Sequence, residues 1–288
     1  MYNQKCCDLL SIIVCSVNSE LRKQLASNID ATIGDCPFEL IVINNKIENL
    51  SITNAYNLGA SKSNYPNLLF ILEDILFKTD YWCVILLHEL SSKNIGIVGV
   101  AGSTYVPFAP CGYTNPVKDY NFYHIIQHTS NGEKFFIKLP EDKYSMKGLD
   151  GVLLGIKRDV FNEFQFDGSL QGFHGYDLDI SLRVSCYYKN KIIDSILIEH
   201  LSQGKPNERY IRNNIVIREK ISIENKYNDT LNEYSSYRQF VASLFRNDFE
   251  ISEIKFLSKK FRNPKRLGMI NYLKSYYFTL RLFKENIK

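Results

Sequence analysis

Four short apolar runs, each followed by a polar break and then a helical pattern, limit what this chain can fold into. They are LLSIIVCSV at 9–17, ELIVIN at 39–44, NLLFILED at 67–74 and IGIVGVAG at 95–102. None alternates polar with apolar residues, so each reads as a strand covered on both faces. Between the first two lies NSELRKQLASNIDATIG. Here Leu21, Leu25, Ile29 and Ile33 recur at helical spacing, Ser19 is the expected N-cap and Gly34 the stop. TNAYNLGASK at 53–62 is a shorter helical stretch, and a helix over 81–93 puts Trp82, Ile85, Leu86 and Leu90 on one face. Strands and helices alternating in this way predict an α/β fold, a mostly parallel sheet flanked by helices.

The remainder is less regular. From Ser103 to Gly148 the periodicity fades into Pro, Gly, Asn and Tyr, which reads as a long functional loop. GLDGVLLGIKRDVFNEF at 148–164 is a strand and a short helix, and DGSLQGFHG leads into a helical YDLDISLRVSCYYKN. IIDSILIEH is read as one strand ending on His200, and from about Tyr210 the pattern is helical. This divides the chain into residues 1–205 and a helical, basic extension at 206–288.

Composition excludes several classes. With 45% hydrophobic residues, 15 Gly and 8 Pro in 288 residues, the chain is neither collagen-like nor wholly disordered. No apolar run approaches the ~20 residues of a membrane span, and no signal peptide is read at the N-terminus. Seven Cys at irregular positions, several inside apolar runs, read as free thiols in a reducing, cytoplasmic compartment. The net charge of +4 is unevenly spread, with ten Lys or Arg against one acid, Glu285, between Lys255 and Lys288. The body is therefore mildly acidic and the tail strongly basic. In that tail Leu273, Tyr276, Tyr277, Leu280 and Phe283 can form an apolar stripe beside cations. That suits a peripheral helix on an anionic membrane. It equally suits a helix packed on the body or on a homodimer partner. Nucleic-acid binding is not expected, since no recognition motif accompanies the charge.

In open parallel sheets ligands bind at the carboxyl ends of the strands. Those ends carry Ser16 and Asn18, Asn44 and Asn45, and Glu73 and Asp74. Later come Asp177 and Asp179, and His200. Carboxylates with one imidazole suit a hard or borderline divalent ion. There is no GxGxxG after the first strand, no GxxxxGK[ST] and no G-x-S-x-G, which removes support for dinucleotide, P-loop and hydrolase sites. Each group also has a plain structural reading. Asp74 can end a strand, Asp177 and Asp179 can serve the dipole of a helix that starts after Gly175, and His200 can sit in the core beside Ile196 and Ile198.

Taken in order, the acidic pair, LDG at 149–151, FHGYDLDISLR at 173–183 and HLSQG at 200–204 resemble the family-2-like glycosyltransferases of GT-A fold. The nearest likeness is to the bacterial branch with a histidine-rich second motif. The resemblance covers about residues 9–204, with a donor half over 1–102 and an acceptor half over 103–205. It implies a metal-dependent, inverting hexosyl- or N-acetylhexosaminyltransferase. The donor would be a nucleotide-diphosphate sugar, with UDP the expected nucleotide, and the acceptor a hydroxyl of a glycan or lipid-linked molecule in bacterial surface polysaccharide synthesis. By the same resemblance Asp74 and His200 would hold Mn or Mg. Ser16, Asn18, Asn44, Asn57 and Glu73 would line the nucleotide. Asp177 would be the general base, with Asp150 and His174 on the acceptor side. The chain departs from the family at Leu72, where the metal motif usually has Asp or His. Two other classes stay open: an inactive sugar-nucleotide-binding scaffold, and a nucleotidyltransferase, which would want a Gly-rich basic loop where CSVNSELRK stands.

Overall fold

The computed structural model describes residues 9–129, 132–139, 146–202, 204 and 206–286. Its contacts divide the chain into two units, Met1–Thr104 with Asn121–Gly204, and Tyr105–Tyr120 with Lys205–Lys288.

The first unit begins β1 (Leu10–Ser16), α1 (Ser19–Thr32), β2 (Phe38–Asn44), α2 (Asn45–Glu48), α3 (Ile52–Lys62) and β3 (Asn67–Leu72). It continues β4 (Ile75–Phe77), α4 (Trp82–Leu90), β5 (Ile95–Gly99), β6 (Ala101–Ser103), β7 (Asn121–Thr129), β8 (Gly132–Lys138) and β9 (Gly148–Leu149). It closes with β10 (Leu153–Lys157), α5 (Arg158–Phe164), α6 (Tyr176–Val184), β11 (Lys189–Ile192) and β12 (Ile198–His200).

One sheet has the order β11-β5-β10-β3-β1-β2, with β10 antiparallel to both its neighbours and the other strands parallel. Leu10, Ile12 and Val14 of β1 pack towards Leu25 and Ile29 of α1 and Trp82 and Leu86 of α4. Ile13, with Leu68 and Phe70 of β3, packs towards Tyr56 of α3 and Tyr176 and Ile180 of α6. Both faces are covered, and that is why the runs are apolar at every position rather than at every second one.

A second sheet, β4-β12-β7-β6-β9 with β8 on β7, stands where the sequence reading placed a loop and one long strand. Strands β7 and β8 pair antiparallel, Tyr123 opposite Lys138 and His128 opposite Glu133. The stretch IIDSILIEH divides between β11 in the first sheet and β12 in the second. The N-cap of α1 is Asn18 rather than Ser19, its side-chain oxygen accepting from the backbone N–H of Glu20 and Leu21. The expectation of free thiols fails at one pair. Cys36, before β2, and Cys83, in the first turn of α4, have Cα atoms 6.2 Å apart and are joined as a disulfide. Separation along the chain hid the pair, which the fold brings within bonding reach. Cys15, Cys111 and Cys186 are free.

The second unit contains α7 (Glu208–Lys220), α8 (Thr230–Arg246), α9 (Ile251–Lys260) and α10 (Pro264–Asn286) around Tyr237, Phe240, Leu244, Ile254, Leu257 and Phe261. Gly268, at φ 69°, breaks α10 near its start. The segment 105–120 belongs to this unit. It has little regular structure, so side chains must serve its backbone. The buried Glu233 accepts from the Tyr105 hydroxyl at 2.7 Å and the Phe108 N–H at 3.0 Å. Arg218 donates to the carbonyls of Pro107 and Cys111, and the Asn232 oxygen accepts from the Val117 N–H. No helix among the described residues is long and apolar enough to cross a membrane.

Candidate functional site

Strand register in the second sheet sets the first half of the site. Asp74 directly precedes β4, and β4 pairs with β12 so that Ile75 stands opposite His200. The Leu201 N–H donates to the Asp74 carbonyl at 2.9 Å, locking the two strand ends together. The result is a His200 Nε2 to Asp74 Oδ1 separation of 3.5 Å. On the other side β12 pairs with β7, placing Gln127 opposite His200.

Gln127 decides how the imidazole is oriented. Its Nε2 donates to the carbonyls of His128 and Ser202 at 2.9 and 2.5 Å, so its Oε1 is the atom 2.9 Å from His200 Nδ1. Nδ1 must therefore be an N–H donor, which leaves Nε2 as the ring nitrogen that faces the Asp74 carboxylate. That buried Nε2 has no hydrogen-bond partner among the described residues. Burial tends to raise the Asp74 pKa, but the neighbouring His200 imidazole and Ser202 outweigh it and hold the carboxyl below its ordinary value. A carboxylate and an imidazole nitrogen that face each other across 3.5 Å could hold a cation between them. An imidazole oriented by an amide oxygen is a common metal-ligand arrangement. The pair fits a divalent ion that takes its remaining ligands from a diphosphate and water. Among the described residues no group of three or more His, Cys, Asp and Glu gathers for a metal.

A cleft of about 210 Å³ opens beside Asp74, lined by Cys15, Val17, Leu21, Ile52, Leu72, Glu73, Asp74 and Phe173. Glu73 is turned to the chain itself, its carboxylate accepting from the backbone N–H groups of Val17 and Asn18 at 3.0–3.2 Å. The Asn18 oxygen is likewise spent, on the α1 cap. Ser16 is buried, and its hydroxyl has no hydrogen-bond partner among the described residues. Asn44 is exposed at the end of β2 and makes no side-chain cap. The Asn57 amide is engaged on both sides by the backbone of Phe166, which ties α3 to the loop after α5.

The second half of the site is LDG against the start of α6. The Gly151 N–H donates to Asp177 Oδ2 at 3.1 Å, and the Tyr176 hydroxyl donates back to the Gly151 carbonyl at 3.0 Å. A Cβ on residue 151 would lie 2.1 Å from that hydroxyl, so only glycine fits. Asp150 Oδ1 accepts from the Val152 N–H at 2.8 Å, which fixes its carboxylate near Asp177. Burial first, and then the Asp150 charge, push the Asp177 carboxyl up to about 7. His174 sits half-buried in the loop before α6, and burial lowers its pKa. Asp179, two residues on, is buried in an ion pair with Arg183 at 2.5 Å, so of the two first-turn acids it has the structural task.

Tyr56 lies between the two halves. It is wholly buried and donates to the Ile71 carbonyl. Its pKa is raised chiefly by burial, with Cys15, Asp74 and Asp177 all adding to the effect, so one phenol senses both acids. Neither Tyr56, Gln127 nor Phe173 was singled out from sequence. The only signal was position for Phe173, inside FHG, and there was none for Gln127.

A mostly parallel sheet covered by helices on both faces, with a second sheet beside it, is the architecture of a GT-A fold. The chain belongs to a family described as "Glycosyltransferase like family", whose model matches residues 11–195. No curated protein matches the sequence. Among solved structures it is similar to GalNAc-T7 with UDP, GalNAc and Mn2+, at TM-score 0.52 and 15% identity, over 88% of this chain and 54% of that one. It thus spans about half of that protein. TarS residues 1–349 of S. aureus in complex with UDP-GlcNAc match at TM-score 0.42 and 11% identity, over 88% of this chain and 71% of that one.

Proposed function

We propose that the protein is a metal-dependent inverting glycosyltransferase. It takes a hexosyl or N-acetylhexosaminyl group from a nucleotide-diphosphate sugar, with UDP the favoured nucleotide, to a hydroxyl of a glycan or lipid-linked acceptor. Surface polysaccharide assembly is the setting that the chain's richness in Asn, Lys, Ile and Tyr favours. The observation that carries the reading is Asp177, an acid raised to about 7 by burial and by Asp150 and held by the Gly151 N–H at the mouth of α6. A base poised near neutrality can take the proton from the acceptor hydroxyl as it attacks, worth ~10²–10⁴-fold. The acceptor oxygen forms a bond to the anomeric carbon while the carbon–oxygen bond to the diphosphate breaks, and the electron pair leaves with the diphosphate. Attack opposite the leaving group inverts the centre. Asp74 and His200 would hold Mn or Mg, which when bound stabilises charge on the leaving diphosphate. Asp150 acts by raising the basicity of Asp177. Ser16 and Phe173 would meet the nucleotide, with Phe173 supporting this as part of the cleft's lining.

Leu72 favours a second reading, a donor-binding scaffold, because it puts an apolar side chain into the cleft where the family keeps an acid or histidine. One experiment separates the two. The purified protein is screened by thermal shift against nucleotide sugars and nucleoside diphosphates with and without Mn or Mg, and release of nucleoside diphosphate is followed. The transferase reading expects a metal-dependent shift, lost in Asp74→Ala and kept in Asp177→Ala, together with slow release that Asp177→Ala abolishes. Binding without release supports the scaffold. Pyrophosphate as the product would mean a nucleotidyltransferase, and no binding by folded protein overturns all three.

A further inference from the structure

The second unit carries a surface that the transfer reading does not use. On α10 the side chains of Met269, Ile270, Leu273, Tyr276, Tyr277 and Leu280 are between 40% and 71% exposed. At 100° per residue they fall in one arc, on the side of the helix opposite the buried Ser275. Scattered exposed apolar residues are ordinary, but a contiguous stripe along one helix marks an interaction face.

The stripe has a cationic border. Between α8 and α10 lies a groove of about 360 Å³ lined by Tyr234, Arg238, Lys274, Tyr277, Phe278 and Arg281. Three of the six are cations and none is an acid. The Arg238 guanidinium lies over the Phe278 ring at 4.7 Å, which holds it in place while leaving its N–H edges open. Arg281 lies over the same Phe278 ring at 5.7 Å and makes an exposed contact at 3.4 Å with Glu285, the single acid of the tail. Arg262, just before α10, lies over the Tyr276 ring at 4.8 Å.

We propose that this face is a docking surface for an anionic lipid bilayer. The apolar arc of α10 would enter the headgroup boundary, and the α8–α10 groove would take a lipid phosphate. Two observations select this occupant. Lys274 and Arg281 border the arc on one side with Glu285 the one acid beside them, as on a cation-rich interfacial helix, and Lys and Arg stems are long enough to reach phosphate from an inserted position. A second copy of the chain would present the same cations to their own images, Lys274, Arg238 and Arg281 against like charge. Anionic headgroups instead neutralise them.

The test is co-sedimentation of the full chain with vesicles of pure phosphatidylcholine, and with vesicles that also contain phosphatidylglycerol. Binding is expected to the anionic vesicles only and to weaken with salt. Each cation near such a surface is worth about fivefold in partitioning, so Lys274→Gln with Arg281→Gln should lose about 25-fold. Leu273→Ser with Tyr277→Ser, which leaves every charge in place, should also lose more than tenfold. Lys62→Gln with Lys93→Gln, two exposed cations of the first unit, should bind as the parent does. Thermal melting of each variant confirms folding. Four results would overturn the proposal: no sedimentation of folded protein at low salt, equal binding to neutral vesicles, unchanged binding by either double variant of the α8–α10 face, or a dimer in solution that Leu273→Ser dissociates. Stabilisation by inorganic phosphate without vesicle binding would likewise replace the bilayer with a soluble anion.

Discussion

Replacing Asp177 with Asn should make the protein more stable at neutral and alkaline pH while removing its base. The carboxyl sits at about 7 in the folded protein against an ordinary 3.8. Between those values the folded chain keeps a proton that the unfolded chain has lost. Stability therefore falls as pH rises through the window, and stays at its lowest above 7. At ~1.4 kcal/mol per pH unit the window amounts to about 4 kcal/mol. Asn has nearly the shape of the protonated acid, can still accept from the Gly151 N–H, and cannot ionise. The gain at pH 8 should therefore approach ~4 kcal/mol, on the order of 8 °C in Tm, and shrink below ~1 kcal/mol at pH 4. Melting curves of parent and variant across pH 4–8 measure it, with nucleoside diphosphate release as the activity control. An equal Tm difference at both ends of the range would mean that shape and not ionisation decides it. A variant less stable at pH 8 would refute the reasoning.

Asp150→Asn removes the second cause of the raised Asp177 pKa, and the acidic limb of kcat/KM should move down by about one pH unit; an unmoved limb shows that Asp150 does not act through Asp177. Gly151→Ala drives a methyl group against the Tyr176 hydroxyl and should cost ~1–3 kcal/mol in denaturant melts. Its activity should fall further than folding explains, because the same loop holds Asp177. Asp179→Ala leaves Arg183 without its buried partner and should cost ~3 kcal/mol, with the kcat of the remaining folded protein unchanged.

The first sheet was legible because its strands are covered on both sides, and Leu10, Ile12, Ile13 and Val14 announce this by being apolar in succession. Asp74, Asp177 and His200 were legible through motif order, since local spacing alone left each with a capping or core reading. The second sheet was not. Residues 121–129 mix Phe, Tyr, His, Ile and Gln without period, since β7 lies between β12, β6 and β8 and its residues are buried to differing degrees on both faces. Gln127 acquires meaning only through register with His200, 73 residues away. The Cys36–Cys83 pair is of the same kind, a contact made by tertiary structure across 47 residues. Asn57 and Glu73 show another limit, because sequence does not reveal that both side chains bond to the backbone around them.

The segment 105–120 sets a timetable for synthesis. Its hydrogen-bonding side chains, such as Arg218 and Glu233, follow it by 107 to 128 residues. At ~5–20 residues per second, the segment leaves the ribosome roughly 5–25 s before its partners exist. During that interval the carbonyls of Pro107 and Cys111 and the Phe108 N–H have only water to meet. The last 80 or so residues are therefore not a detachable appendage. A chain stopped after Gly204 would keep a strip of backbone whose donors and acceptors lie in the missing helices, and supplying α7 to α10 as a separate polypeptide should restore it.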